Sequence, residues 1–196
     1  MAVFIAMCAY SLSMSISPGP VNLVALTSGL NKGFRRAIPF VSGAAIGFAL
    51  LLLTVGLGVG MVTTSLPLFL AILSYSGSAF IFYMGLNIAT ADPVIKQTNG
   101  TSSSFIHGFV LQWLNPKAWI ASISGIGAFE IEATHHLFEF VAIYFLICYA
   151  SIACWALVGH KMNLILSEPK ALKIFNLVMG GLLMMVAVYL LLMQLM

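Results

Sequence analysis

Six long apolar stretches occupy most of the chain, and they constrain its fold more than any other feature. They cover residues 3–30, 37–62, 67–89, 105–129, 137–159 and 172–196. Each has roughly 20 residues or more, the length with which an α-helix crosses a hydrocarbon core of about 30 Å. Charged residues make up 7% of the chain, against about 25% in a soluble domain. We therefore predict an all-α membrane protein with six transmembrane helices, without an extramembrane catalytic or nucleic-acid-binding domain.

The basic residues outside the apolar stretches predict how the chain crosses the membrane. They fall in or directly beside the first, third and fifth connectors: Lys32, Arg35, Arg36, Lys96, Lys161, Lys170 and Lys173. The second and fourth connectors carry none. Because cytoplasmic loops carry the excess of Lys and Arg, we predict that the three basic connectors are cytoplasmic. The N-terminus and the C-terminus would then both lie outside.

Proline motifs interrupt the first and the fourth apolar stretch. Ser17-Pro18-Gly19-Pro20 lies in the first, and Asn115-Pro116-Lys117 lies in the fourth. Ser17-Pro18 and Asn115-Pro116 each place a preferred N-cap residue before a proline at the first helical position. Because proline also removes hydrogen-bond partners from upstream carbonyls, each motif predicts a helix that stops and restarts inside the bundle. The alternative is a pair of proline kinks that only shape packing.

Pro18 and Pro116 stand half a chain length apart, which predicts an internal repeat. Each half of the 196-residue chain then holds three helices, the first of them broken. An odd number of helices per half forces the second half to cross the membrane in the opposite sense, as in inverted-repeat transporters. The sequence therefore predicts two inverted three-helix repeats, residues 1–98 and 99–196, with helices 1 and 4 broken, in one integral membrane domain. A coincidence of two prolines is the alternative.

Lys117 is the one basic residue deep inside an apolar stretch. About 12 residues flank it on either side, so it lies on the order of 18 Å from either end of the helix, beyond the reach of its side chain. We therefore expect it to face the bundle interior. No carboxylate is expected deep in the membrane to pair with it, so it is either neutral or paired with the substrate. The alternative is a structural lysine bonded to carbonyls of a broken helix.

The restarted half-helices predict an anion site near the middle of the membrane. Their N-termini carry free N–H groups and the positive end of the helix dipole, which together bind a carboxylate. The candidate substrate-binding residues are Pro18, Gly19, Pro20, Asn22, Gln112, Asn115, Pro116 and Lys117. Gly43 and Gly47, which are four residues apart, are predicted to let helices pack closely.

We expect neither a metal nor a cofactor. His135, His136 and Glu139 have a spacing that could bind a metal, but we assign them to a charged outer connector.

The order of the motifs along the chain is informative as well. Besides the two proline motifs, the chain has Gly33-Phe34-Arg35, Ser42-Gly43 and Tyr83-Met84-Gly85-Leu86. This series resembles the LysE/RhtB (lysine-exporter-like) family of bacterial amino-acid exporters. The stretch from Cys154 to His160 is similar to the branch that exports cysteine and O-acetylserine, while homoserine, threonine and lysine stay open as substrates.

The resemblance implies a secondary transporter of the bacterial inner membrane, and not an enzyme. It would export amino acids or their derivatives, driven by the proton motive force. Its partners would be the amino-acid substrate, protons and membrane lipid, with no nucleic acid, and a homo-oligomer stays open. Proton-coupled transporters often use an intramembrane carboxylate; without one, we expect Lys117 or substrate exchange to carry the coupling.

Two other classes of protein stay open from the residues alone. A small-ion or metal exporter shares the six-helix architecture but needs acidic, Cys or His ligands inside the membrane, and these are mostly absent. A membrane thiol-redox protein needs paired cysteines, which Cys8, Cys148 and Cys154 do not provide.

Overall fold

The computed structural model describes residues 1–58, 66–91, 104–129, 134–165 and 168–195. These residues form helices and short connections, and no strand occurs among them. The helices are α1 (Ala2–Ile16), α2 (Pro20–Lys32), α3 (Phe34–Gly56), α4 (Leu66–Ala89), α5 (Phe105–Trp113), α6 (Pro116–Ala128), α7 (Thr134–Ile165) and α8 (Pro169–Leu195). The prediction of an all-α protein is confirmed for this part of the chain.

Three of the helices are long and apolar enough to cross a membrane on their own. They are α3 over Phe34–Gly56, α7 over His135–Met162 and α8 over Pro169–Leu192. α1 and α2 together make a fourth candidate, bent by 63° at the break between them. By length and composition the described residues thus contain three or four candidate spans, and the full set of six stays a prediction.

Both proline motifs interrupt a helix, as the sequence predicts. α1 ends at Ile16 and α2 begins at Pro20, whereas α5 ends at Trp113 and α6 begins at Pro116. Each new helix starts with proline at its first position, where the missing N–H costs nothing. The breaks therefore lie where the sequence places them.

The N-cap at the first break differs from the predicted one. The N-cap is Gly19 and the first helical residue is Pro20, not Ser17 and Pro18. A residue that precedes proline is held in an extended conformation, and Ser17 (ψ 139°) and Gly19 (ψ 176°) are both extended. Two steps into proline in succession therefore delay the new helix.

α3 and α7 lie at the centre of the bundle and hold the broken helices. α3 packs against α5, α6 and α7, and α7 packs against α1 and α2 as well. α4 and α8 pack against each other. The rings of Phe48 on α3 and Tyr144 on α7 are buried and stack with their centroids 4.3 Å apart. Both broken helices therefore rest on the same central pair.

Glycines bring the backbones of α2 and α7 together. A Cβ on Gly29 would overlap the backbone carbonyl of Ala156, and a Cβ on Gly159 would overlap the backbone carbonyl of Leu26. Positions without a side chain allow helices to approach this closely. The contact fixes the distance between the restarted half-helix α2 and the central helix α7.

Gly43 and Gly47 make the equivalent contact between α3 and α5. A Cβ on Gly43 would overlap the carbonyl of Phe105, and a Cβ on Gly47 would lie 3.0 Å from the carbonyl oxygen of Phe109. Both carbonyls belong to α5, so these two glycines set how closely α5 approaches α3. Gln112 lies on the same short helix, and its position depends on this contact.

The basic residues that predict the orientation lie near helix ends. Lys32 is the last residue of α2, and Arg35 and Arg36 lie in the first turn of α3, which begins at Phe34. Lys161 is exposed near the end of α7. Lys96 lies outside the described residues. The positions of the two termini relative to the membrane remain a prediction.

Candidate functional site

The two helix breaks meet at a partly open cavity lined by α1, α2, α3, α5, α6 and α7. About 40 Å³ of it admits the centre of a water molecule, enough for a few waters. Of the predicted site residues, five line it: Gly19, Asn22, Gln112, Asn115 and Lys117. Pro18, Pro20 and Pro116 do not line the cavity, and they act on it through the helix ends that they set.

The last carbonyls of α1 lose their intrahelical partners at the break, and side chains replace those partners. Asn22 donates its amide to the carbonyls of Ser15 (2.8 Å) and Ser17 (2.9 Å). The indole of Trp155 on α7 donates to the carbonyl of Ile16 (3.0 Å). An unpaired carbonyl is costly away from water. These side chains therefore stabilise a broken helix end inside the bundle.

Replacing Asn22 with leucine is expected to destabilise the protein. The carbonyl of Ser15 loses its donor, while that of Ser17 keeps a second one from Lys117. A buried polar group without a partner costs about 1–3 kcal/mol, which lowers the melting temperature of a chain of this size by several degrees, at about 2–4 °C per kcal/mol. Thermal unfolding in detergent measures the effect. Asn87→Leu, at a half-buried position on α4, is the control, and equal melting temperatures for both variants would contradict the role of Asn22.

Lys117 on α6 reaches across to the first break. Its ammonium donates to the hydroxyl oxygen of Ser17 (2.6 Å) and to the carbonyl of Ser17 (3.2 Å). The nitrogen also lies 3.5 Å from the point that a Cβ on Gly19 would occupy. Lys117 therefore bonds a carbonyl of the broken helix, which is the contact expected of a structural lysine and leaves its role in transport a prediction. Because an ammonium has three donors, one donor remains for a ligand in the cavity.

The N-termini of the two restarted helices differ in how they are capped. In α6 the side-chain oxygen of Asn115 accepts a hydrogen bond from the backbone N–H of Lys117 (3.1 Å). In α2 the N-cap is Gly19, and no side chain caps the helix. The first N–H groups of α2 therefore need another acceptor. Gly19 and Val21 line the cavity beside Lys117, so that acceptor would lie in the cavity.

At the second break, an indole and a glycine contact the last carbonyls before the new helix. Trp119 donates its indole N–H to the carbonyl of Trp113 (2.8 Å), as Trp155 does at the first break. A Cβ on Gly77 of α4 would overlap the carbonyl of Leu114. Sequence reasoning missed these partners because each contact depends on how the helices cross.

Three polar side chains on the cavity wall are also missing from the sequence-based prediction. They are Ser15 on α1 and Tyr144 and Cys148 on α7. Tyr144 and Cys148 are four residues apart and therefore share a helix face. α7 is apolar all round, so its hydrophobic pattern does not indicate which face turns inward.

His135, His136 and Glu139 lie in the first turns of α7, and not in a connector as predicted. Both histidines are exposed, and Nδ1 of His136 lies 3.6 Å from Oε2 of Glu139. The part of the chain that the structure describes holds no group of His, Cys, Asp and Glu side chains that could bind a metal ion.

Two interrupted helices that face one cavity, with a lysine and three amide side chains on its wall, are typical of membrane transporters built on broken helices. A model of the family described as LysE type translocator matches residues 12–194 of this chain. The chain therefore belongs to the LysE-type translocator family, which confirms the resemblance drawn from its motifs.

Curated relatives carry the name cysteine/O-acetylserine efflux protein. Those of Escherichia coli strain K12 and Shigella flexneri are each 29% identical to this chain over 155 residues. That of Salmonella typhi is 28% identical over 155 residues. The alignments cover 77% of this chain and 79% of each relative. No solved structure matches the chain significantly.

Proposed function

We propose that this protein is a secondary transporter that exports amino acids or amino-acid derivatives across the bacterial inner membrane. The observation that carries the proposal is that Lys117 and the uncapped start of α2 face one cavity. The translocator family, and relatives named cysteine/O-acetylserine efflux proteins, support export of an amino acid.

The carboxylate of the substrate binds between Lys117 and the start of α2. Its oxygens accept hydrogen bonds from the remaining donor of the ammonium and from the first N–H groups of α2. Charge-assisted hydrogen bonds of this kind are roughly twice as strong as neutral ones. Gly19 leaves room for the carboxylate, because any side chain there would begin 3.5 Å from the ammonium nitrogen.

The α-ammonium of the substrate binds the side chain of Gln112. This side chain is buried and lines the cavity, and its amide oxygen is an acceptor. Asn22 and Asn115 line the same cavity, and their side chains also bond the backbone at the two breaks. Contact of these two amides with the substrate is part of the proposal, beside their role at the helix ends.

Both halves of the chain contribute residues to the cavity, which supports transport by alternating access. Ser17 and Gly19 come from residues 1–98, and Lys117 comes from residues 99–196. The packing of the two halves is also related: α1 and α2 pack against α7, as α5 and α6 pack against α3. This pattern supports two inverted three-helix repeats that rock against each other around the site. The six spans and the outside location of both termini are proposed from the apolar stretches and the basic connectors of the sequence.

The coupling of transport to protons runs through Lys117. Of the described residues that line the cavity, Lys117 is the one with a formal charge, and none is a carboxylate. Release of the substrate carboxylate leaves the ammonium without its counter-ion, which favours loss of a proton. Exchange of one substrate for another is the second way to complete the cycle.

Efflux from membrane vesicles tests the proposed function. Vesicles loaded with labelled cysteine, serine, O-acetylserine, homoserine, threonine or lysine are compared with vesicles that lack the protein. We expect saturable efflux of at least one neutral amino acid, with unlabelled substrate as competitor. Efflux of none of them, from protein shown to be folded in the membrane, would refute amino-acid export and favour a small-ion exporter.

A further inference from the structure

A second group of polar side chains lines the same cavity and is not used in binding the carboxylate. Ser15, in the last turn of α1, is 8% exposed, and its hydroxyl has no hydrogen-bond partner. A buried hydroxyl without a partner costs free energy, so its presence on a cavity wall points to a ligand that supplies the missing bond.

Tyr144 and Cys148 of α7 line the cavity together with Ser15. Neither the phenol nor the thiol makes a hydrogen bond of good geometry with the Ser15 hydroxyl. Tyr144 is held in place by its stack on Phe48. The three groups offer hydroxyl and thiol donors and acceptors on a wall that is otherwise mostly apolar.

We propose that Ser15, Tyr144 and Cys148 form the subsite for the side chain of the exported amino acid, and that they select a short uncharged side chain with a hydroxyl, thiol or ester group. The inference rests on the proposed function, since it assigns a role to the part of the cavity that the carboxylate and the ammonium do not use.

The selection has a physical basis in the unpaired hydroxyl. A site that is built to hydrogen-bond a substrate group disfavours an analogue that lacks the group, because its own buried polar atoms then stay unpaired. A lysine side chain is disfavoured for another reason. It would bring a second cation into a cavity whose described lining holds Lys117 and no carboxylate, and an unpaired buried charge is costly.

Pairs of isosteric amino acids test the subsite. The first pair is serine and 2-aminobutyrate, and the second is homoserine and norvaline. In each pair the second amino acid has a methyl group where the first has a hydroxyl. We expect the wild type to prefer each hydroxyl-bearing member by about tenfold in the ratio of maximal rate to KM, the value of one well-made hydrogen bond. Ser15→Ala and Tyr144→Phe should each reduce this preference several-fold while efflux of 2-aminobutyrate continues.

Matched controls lie close to both positions. Ser11 lies one turn before Ser15 on α1, and its hydroxyl donates to the carbonyl of Met7 (2.7 Å). Tyr149 lies on α7, and its phenol oxygen is 3.4 Å from the hydroxyl oxygen of Ser42. Neither lines the cavity, so Ser11→Ala and Tyr149→Phe should keep the wild-type preference. Melting temperatures in detergent check that all four variants are folded.

The possible results of these experiments distinguish a wrong subsite from a wrong proposed function. If amino acids are exported and the preference survives in both Ser15→Ala and Tyr144→Phe, or is absent in the wild type, the subsite is wrong and the export function stands. If efflux of lysine equals that of serine, the charge argument fails and the subsite is again wrong. If no amino acid leaves the vesicles, the proposed function itself is wrong.

Discussion

Export by the Lys117→Met variant is expected to fall about 30-fold or more below that of the wild type. Methionine keeps the length and the apolar stem of the side chain but removes the ammonium. Removing one partner of a buried, hydrogen-bonded charge pair costs about 2–5 kcal/mol, and each 1.4 kcal/mol corresponds to a factor of about ten. The rate of efflux at low substrate concentration, measured in vesicles with equal amounts of protein, gives the effect directly.

The fold should survive this substitution, because the carbonyl of Ser17 keeps its bond to Asn22. Lys161→Met, at an exposed position near the end of α7, removes a lysine far from the cavity lining and should export at the wild-type rate. If Lys117→Met exports normally, Lys117 has no part in transport.

Gly19→Ala tests the same site without removing the charge. The backbone of Gly19 is extended (φ −170°, ψ 176°), a conformation open to alanine, so the protein should fold. The added methyl group lies 3.5 Å from the ammonium nitrogen and takes the space of the carboxylate. We therefore expect a higher KM, and an unchanged KM would contradict carboxylate binding at this point even if Lys117→Met fails to fold.

Gly43→Ala is expected to lower the stability of the protein, although alanine favours helices. The new Cβ would overlap the backbone carbonyl of Phe105, and backbone cannot move aside as a flexible side chain can. Overpacking of this kind costs about 1–3 kcal/mol, so the melting temperature in detergent should fall by several degrees, at about 2–4 °C per kcal/mol. Gly159→Ala, which meets the carbonyl of Leu26, should behave in the same way.

Gly181→Ala is the matched control on α8. Nothing lies within 4 Å of a Cβ at this position, so only the helix propensity changes, by about 1 kcal/mol in favour of alanine. We expect its melting temperature to stay equal or rise. A fall as large as that of Gly43→Ala would show that close backbone contact is not the reason for the effect.

The positions of the helix breaks could be predicted from the sequence because proline acts on its immediate neighbours. The break at Pro116 lies where the motif places it. At the first break the N-cap is Gly19 and not the predicted Ser17, because each of two successive prolines holds the residue before it extended. The depth of Lys117 in the membrane is predicted by counting residues and stays a prediction. Its partner Ser17 could not be predicted, because it is 100 residues away along the chain.

The two asparagines at the breaks also show what the sequence can and cannot predict. Asn22 and Asn115 were predicted to bind the substrate, and their side chains bond the backbone at the two breaks in this structure. The sequence alone does not distinguish the two roles, since an amide near a helix end serves either one. Direct binding of substrate by these two residues stays a prediction.

The sequence by itself determined an all-α chain with long apolar helices, two breaks at proline motifs and a lysine inside an apolar stretch, because apolar length, proline and charge act locally. Only the tertiary structure decided that Lys117 meets Ser17, that α2 is left uncapped while Asn115 caps α6, and that Tyr144 and Cys148 face the cavity. Those contacts join residues from distant parts of the chain, and they depend on how closely glycines such as Gly29 and Gly43 let the helix backbones approach.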